Sequence, residues 1–318
     1  MGRIDDVTVD TGTAFTWIGH GKEYVITETS AKQENEVFNI RYAKGSAAGA
    51  IYKDHITLSP SLKIPAMLIG VASSSNAPLG SEGTLGLGRA LGGLIIRLKN
   101  GQPVPTVMDA LLQHKQIQRN IFGVSFAPVT SQGVINGRLT FGGTSVQKYK
   151  YNLHWVKATE KAPCNIYWGI EQTIKYGDKI LQPSSAGVVD TGSSLIHITP
   201  QAFDKYRESI PGSKIGTNGL LEIPENSVGH MKTLSFIING KPYDLPPKAQ
   251  LWPQELNTNV LRGRADAHYS VVGWLPEELS KMGIGFVSGY AFLQRFYTAY
   301  DASESMIGFA VPAEADVN

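Results

Sequence analysis

The sequence predicts an all-β fold divided into two lobes, and three observations carry that prediction. The chain has 318 residues, about two domains' worth at roughly 150 residues each. Short runs of β-branched and aromatic residues recur along it, separated by Gly, Pro, Ser and Asn, as expected of strands joined by turns. One motif, an apolar run ending in Asp-Thr-Gly and a hydroxyl residue, occurs once in each half, a repetition that points to two related units.

Composition removes several classes of function. Lys plus Arg is 29 and Asp plus Glu is 27, a net charge of +2 without long blocks of one sign, so neither nucleic acid nor an anionic membrane is an expected partner. With 42% apolar and 18% charged residues, a chain of this length buries about three quarters of its unfolded surface and folds on its own. The most apolar stretch, residues 84–98, is broken by Arg89 and Arg97, which argues against a membrane span. Residues 1–6 lack the apolar core of a secretory signal. A single cysteine, Cys164, excludes an intrachain disulfide and a CxxC redox pair; it reads as a small buried residue.

Taken in order, the strand runs are 37–42, 51–58, 121–126, 139–141, 234–238 and 271–274. Helical periodicity is confined to a few places. Over 106–117, Thr106 can cap with Asp109 three residues on while Val107, Leu111 and Leu112 share an apolar face. A second short helix follows Thr199, with Pro200 at its first position. The sequence turns polar and charged over 157–163, which sets the boundary between a first lobe, 1–158, and a second, 159–318.

The repeated motif carries the chemistry. Val7-Thr8-Val9-Asp10-Thr11-Gly12-Thr13 is matched by Val188-Val189-Asp190-Thr191-Gly192-Ser193, and each is followed by a further apolar stretch, 15–18 and 195–198. One such motif alone reads as a strand ending in a turn; two with matching flanks call for a common purpose. Carboxylates brought close from two lobes cannot both ionise and so share a proton. The ionised member can then take a proton from water as it attacks a carbonyl, while the protonated member polarises the carbonyl and protonates the leaving group. Neither a metal nor a cofactor is required. Gly12 and Gly192 are expected to let the backbone turn tightly and aim N–H groups at the carboxylates. Thr11 and Thr191 can bond across to the opposite loop, and Thr13 and Ser193 can donate to the outer carboxylate oxygens.

With these residues in view, the chain resembles the pepsin-type aspartic endopeptidases, in particular their fungal branch, along nearly its whole length. Phe38-Asn39-Ile40-Arg41-Tyr42-Ala43-Lys44-Gly45-Ser46 is similar to the family's flap hairpin, with Tyr42 at its tyrosine and Trp17 at the tryptophan that braces it. Glu82-Gly83-Thr84-Leu85-Gly86-Leu87-Gly88 resembles the strand that threads behind the first catalytic loop, and Phe286-Val287-Ser288-Gly289 resembles its counterpart. The resemblance implies two β-barrel-like lobes with a substrate cleft, and peptide-bond hydrolysis at acid pH by Asp10 and Asp190. It also implies a flap and substrate surface formed by Tyr42, Ala43, Lys44, Gly45, Trp17, Thr84 and Tyr167. Polypeptide substrates and statine-type inhibitors are the implied partners, with a monomeric state and a secreted or vacuolar location.

Three features depart from the family pattern. Ala43 stands where the flap has glycine, Ser288 stands where an apolar residue is usual, and only nine residues precede Asp10. The last implies that a hairpin ahead of the first catalytic strand is missing. Each unfilled core position costs about 2–5 kcal/mol against a total of about 5–15 kcal/mol. The 318-residue chain is therefore expected to be poorly soluble or weakly active, and an upstream hairpin of family-like sequence to restore both. Lys44 at the flap tip is expected to disfavour Lys or Arg on the N-terminal side of the scissile bond and to favour apolar or acidic residues. Other readings fit less well. The glycines of 86–92 miss a dinucleotide-binding spacing by one residue and lack a βαβ context. The seven histidines show no metal-ligand spacing, and there is no Gly-x-Ser-x-Gly elbow. The remaining alternative is a pepsin-fold protein that binds without cutting.

Overall fold

A computed structural model describes residues 6–42, 44–77, 80–91 and 94–313 of the chain. Ala43 and Gly92 lie outside the described residues. Residues 8–86 supply β1 (Thr8–Asp10), β2 (Trp17–Ile18), β3 (Ala31–Arg41), β4 (Ser46–Ser59), β5 (Leu62–Ser75) and β6 (Gly83–Gly86). They form one sheet in the order β1-β6-β2-β5-β4-β3, in which β1 takes one edge and pairs with β6 in parallel. The long β4–β5 pairing carries three register irregularities, and such bulges bend a strand and increase its twist, which curls this sheet.

The chain continues through β7 (Ile121–Phe126), β8 (Gly137–Phe141) and β9 (Tyr149–Lys157), then β10 (Gly169–Tyr176), β11 (Lys179–Val189) and β12 (Ile196–Ile198). Next come β13 (Lys214–Ile215), β14 (Leu221–Ile223), β15 (Leu234–Ile238), β16 (Lys241–Leu245), β17 (His268–Tyr269), β18 (Val272–Trp274) and β19 (Phe286–Ser288). The last two strands are β20 (Tyr297–Asp301) and β21 (Met306–Pro312). A seven-stranded sheet runs β16-β15-β10-β11-β19-β12-β18, a small one β13-β14-β17, and a third β8-β7-β20-β21-β9. That third sheet joins strands from both sides of the 158/159 boundary, with β20 and β21 between β7 and β9.

Helices are few. In α1 (Val107–Gln113) the Asp109 amide donates to Thr106 Oγ1 at 3.1 Å and the Thr106 amide donates back to Asp109 Oδ2 at 3.1 Å, a reciprocal cap that starts the helix where the sequence places it. Thr199 caps α2 (Pro200–Glu208), accepting from the Ala202 amide at 3.3 Å, with Pro200 opening the helix. Three one-turn helices, α3 (Glu225–Val228), α4 (Glu277–Lys281) and α5 (Tyr290–Leu293), were not expected; a single turn is too short to show an apolar period.

One local arrangement occurs twice. The strand leading to each Asp-Thr-Gly lies parallel to a later strand, β1 with β6 and β11 with β19. That later strand lies antiparallel to the strand following the motif, β6 with β2 and β19 with β12. Both Asp residues are thus held by the same pattern: Leu87 N donates to Asp10 O at 2.8 Å, and Asp190 N donates to Ser288 O at 3.0 Å.

Arg89 ties the two halves of the chain together from just beyond β6. It is buried, and its guanidinium donates to Asn165 O at 2.8 Å and Ser305 Oγ at 2.9 Å while lying 5.5 Å from the Trp168 ring centroid. Among the described residues no carboxylate is paired with it, and burial pulls its pKa down. Its worth lies in charge-assisted hydrogen bonds, each typically about 1.5–3 kcal/mol. Arg89→Ala is expected to lower unfolding stability by about 2–3 kcal/mol and to broaden or split the calorimetric transition. A single transition at the wild-type temperature would show that Arg89 is no strut.

Candidate active site

The two Asp-Thr-Gly loops meet. Thr11 N donates to Thr191 Oγ1 at 3.0 Å and Thr191 N donates to Thr11 Oγ1 at 3.1 Å. Each hydroxyl passes its own proton onward, Thr11 Oγ1 to Val189 O at 3.1 Å and Thr191 Oγ1 to Val9 O at 2.6 Å. Every polar atom in this cross-grip is satisfied by the opposite half of the chain, so separating the loops would orphan buried groups on both sides.

The grip brings the carboxylates together. Gly12 N donates to Asp10 Oδ1 at 2.8 Å and also to Asp190 Oδ1 at 3.1 Å, so one amide bridges the pair. Asp10 further accepts from Thr13 N at 3.0 Å and Thr13 Oγ1 at 2.6 Å. Asp190 accepts from Gly192 N at 3.0 Å and Ser193 Oγ at 2.7 Å. The inner oxygens therefore face each other across backbone amides, and the outer oxygens are held by hydroxyls. Burial first, and then the negative charge of Asp190, raise the Asp10 carboxyl to about 7, against the lowering influence of its Thr13 and Gly12 donors. The pair can hold one shared proton well above the usual carboxylate range.

Both glycines aim their amides at the carboxylates as expected, but a special backbone conformation is not what makes glycine necessary. Neither Gly12 nor Gly192 has a positive φ, so neither is needed for a left-handed turn. A Cβ at Gly12 would lie 2.8 Å from Asp190 Oδ1, and one at Gly192 would lie 2.8 Å from Asp10 Cγ and Oδ1. Glycine is required so that each loop can press its backbone against the opposite carboxylate.

Over the pair lies the β3–β4 hairpin, closed by Tyr42 N donating to Gly45 O at 3.0 Å, with Gly45 at φ +81°. Tyr42 Oη accepts from Trp17 Nε1 at 2.6 Å. Burial raises the phenol's pKa and the Asp10 charge raises it further, while the Trp17 N–H opposes the shift. Trp17 and Thr84 face each other in the β2–β6 pairing, and both are fully buried. Tyr167 is half-buried; burial and then the Asp190 charge raise its pKa. Lys44 is exposed at the hairpin tip. Cys164 is buried, which pushes its thiol up to about 11 and leaves it unreactive.

Two groups at the site went unnoticed in the sequence. Tyr300 is completely buried and stacked on Phe122 at 4.7 Å, and burial raises its pKa, with the charge of Asp190 adding to the shift. His197 on β12 is half-buried and within electrostatic reach of Asp190. A signal for it existed: it is the seventh residue after its Asp, as Trp17 is after Asp10.

A model of the eukaryotic aspartyl proteases matches residues 5–312. The chain belongs to that family. It is 38% identical over 304 residues to polyporopepsin from Irpex lacteus, covering 95% of this chain and 88% of that protein. It is 25% identical over 324 residues to gastricsin from Homo sapiens, covering 96% and 78%. The crystal structure of an aspartic proteinase from Irpex lacteus superposes with a TM-score of 0.91 at 37% identity, covering 98% of this chain and 91% of that one. This aspartyl protease therefore has a strand-rich, pepsin-like fold and is an endopeptidase that hydrolyses peptide bonds at acid pH through an aspartate dyad.

Proposed function

We propose that Asp10 and Asp190 are that dyad, seated between two β-barrel-like lobes, 1–158 and 159–318, whose cleft takes an extended polypeptide. The observation that carries this reading is the single Gly12 amide donating to both carboxylates. The ionised member of the pair deprotonates a water that attacks the scissile carbonyl; the protonated member donates to the carbonyl oxygen, and the proton then passes to the leaving nitrogen. Thr13 and Ser193 fix the outer oxygens, so proton exchange is confined to the inner ones. The mechanism uses neither a metal nor a cofactor.

The β3–β4 hairpin acts as a flap: Tyr42, braced by Trp17, closes an apolar wall over the substrate and excludes water from the dyad, with Lys44, Gly45 and Tyr167 completing the binding surface and the buried Thr84 backing it from β6. Tyr42→Ala is expected to lower turnover at least about tenfold with little change in melting temperature; unchanged turnover would make Tyr42 a structural residue only. The enzyme works as a monomer in a secreted or vacuolar compartment, where acid pH keeps the shared proton in place. Cleavage of a denatured protein at about pH 3 to 5, with and without a statine-type inhibitor, tests the whole reading. Cleavage abolished by the inhibitor supports it, and inhibitor binding without cleavage would leave a binding protein.

A further inference from the structure

The Asp-Thr-Gly repeat makes Trp17 and His197 counterparts. Trp17 opens β2, which is antiparallel to β6 and parallel to β5; His197 lies in β12, which is antiparallel to β19 and parallel to β18. In the first half this position reaches the hairpin through Tyr42. In the second half the same position holds an imidazole, which lies within electrostatic reach of Lys44 at the tip of that same hairpin and of Asp190 below.

The ring is positioned. His197 Nδ1 lies 2.9 Å from Trp274 O, which accepts from it, so Nδ1 carries the proton and Nε2 is left for other partners. Gly273 stands opposite His197 in the β12–β18 register, and a Cβ there would meet the ring at Nδ1 and Cε1, 3.6 and 3.8 Å away. The strands packed against β12 bring no competing charge: β18 is Val272-Gly273-Trp274 and β19 is Phe286-Val287-Ser288. Helix α5 contributes Tyr290, whose hydroxyl accepts from Asn136 Nδ2 at 2.7 Å. The charged groups that His197 senses are therefore Lys44 and Asp190. Burial and Lys44 disfavour its protonation while the Trp274 carbonyl and Asp190 favour it, and the balance lies below the ordinary imidazole value.

We propose that Lys44 and His197 form a two-sided basic clamp that selects substrates carrying an Asp or Glu side chain near the scissile bond. The inference rests on the reading that substrate passes between the hairpin and the dyad. Two like charges facing one space repel when it is empty, and a carboxylate placed between them relieves that repulsion and gains two charge-assisted partners. A basic side chain in the same place would add a third positive charge. The clamp also has a pH window. A substrate Glu ionises above about pH 4.3, and burial makes His197 lose its proton below the ordinary imidazole value, so preference for Glu should be greatest in the interval between the two and decline before neutrality.

The test walks a single Glu, or Gln as its neutral match, through the positions flanking the scissile bond of one peptide and reads the Glu-to-Gln ratio of kcat/KM against pH. At one position the wild type should favour Glu about fivefold or more near pH 5, with the ratio falling toward unity near pH 3.5 as Glu gains its proton. His197→Asn keeps a donor for the Trp274 carbonyl but cannot titrate; it should lower the ratio and abolish its decline on the alkaline side. Adding Lys44→Gln should bring the ratio to about one at every pH at which Glu is ionised. A wild-type ratio near one at all positions, or one that neither substitution alters, overturns the clamp while leaving the protease intact. Failure of the wild type to cut either peptide series overturns the substrate-path reading and the clamp with it.

Discussion

Replacing Asp10 or Asp190 by asparagine is expected to reduce kcat by about 10³-fold or more, the scale set by losing general acid and base transfer, with the protein still folded. The two inner oxygens share one bridging amide, and an amide side chain can fill that space without accepting or surrendering a proton. Retention of turnover within tenfold of wild type in either variant would refute the assignment. The same substitution has a consequence for stability whose sign follows from burial. Desolvation, and then Asp190, raise the Asp10 carboxyl from 3.8 to about 7, so between these limits the folded protein binds a proton that the unfolded chain has lost. Stability must then fall as pH rises through that window, the cost of the buried charge being absent below the lower limit and fully expressed above the upper one. Asp10→Asn removes the titrating group. The variant should show a flatter melting profile over this range and exceed wild type at neutral pH by an amount on the order of a few kcal/mol. Parallel melting curves for the two proteins across the window would show that Asp10 is not held protonated.

Gly192→Ala is expected to have the second largest effect, through geometry alone. The added methyl would lie 2.8 Å from Asp10 Cγ and Oδ1 and 3.1 Å from Oδ2. That carboxylate cannot swing away freely, because Gly12 N, Thr13 N and Thr13 Oγ1 all hold it. Either those bonds are given up or the loops separate and stretch the Thr11–Thr191 grip, and both responses move the reacting oxygens by a few tenths of an ångström or more. A misplacement of about 1 Å costs about 10²-fold in rate, and a loss of about 10²- to 10³-fold is expected here. Separation also weakens the repulsion from Asp190, so the alkaline limb of the pH–rate profile should move to lower pH. Gly229→Ala is the matched control: a Cβ there meets nothing within 4 Å, and its activity should be that of wild type. Equal activity of Gly192→Ala and the control would show that the loops yield without cost.

Much of the fold and half of the site are legible in the sequence because their causes are local. A cap such as Thr106 with Asp109, a proline opening the helix after Thr199, and apolar runs such as Ile121–Phe126 and Leu234–Ile238 are set by residues a few positions apart. The repetition of Asp-Thr-Gly likewise names its carboxylates and hydroxyls directly. The rest depends on what distant residues do to one another. Nothing near Arg89 in sequence indicates that its partners are Asn165 and Ser305, and a sheet that inserts β20 and β21 between β7 and β9 joins segments far apart along the chain.

By itself, then, the sequence determined that two equivalent strand–loop units each deliver an aspartate, and so the family and its chemistry. Only the tertiary structure decided that Gly12 bridges both carboxylates, that its lack of a side chain matters for approach rather than for φ, and that the Trp274 carbonyl orients the His197 ring. The physical reason is that a carboxyl's proton affinity and an imidazole's charge depend on desolvation and on fields that fall off with distance. Asp10 and Asp190 are 180 residues apart in the chain, and folding alone converts that separation into a shared hydrogen bond.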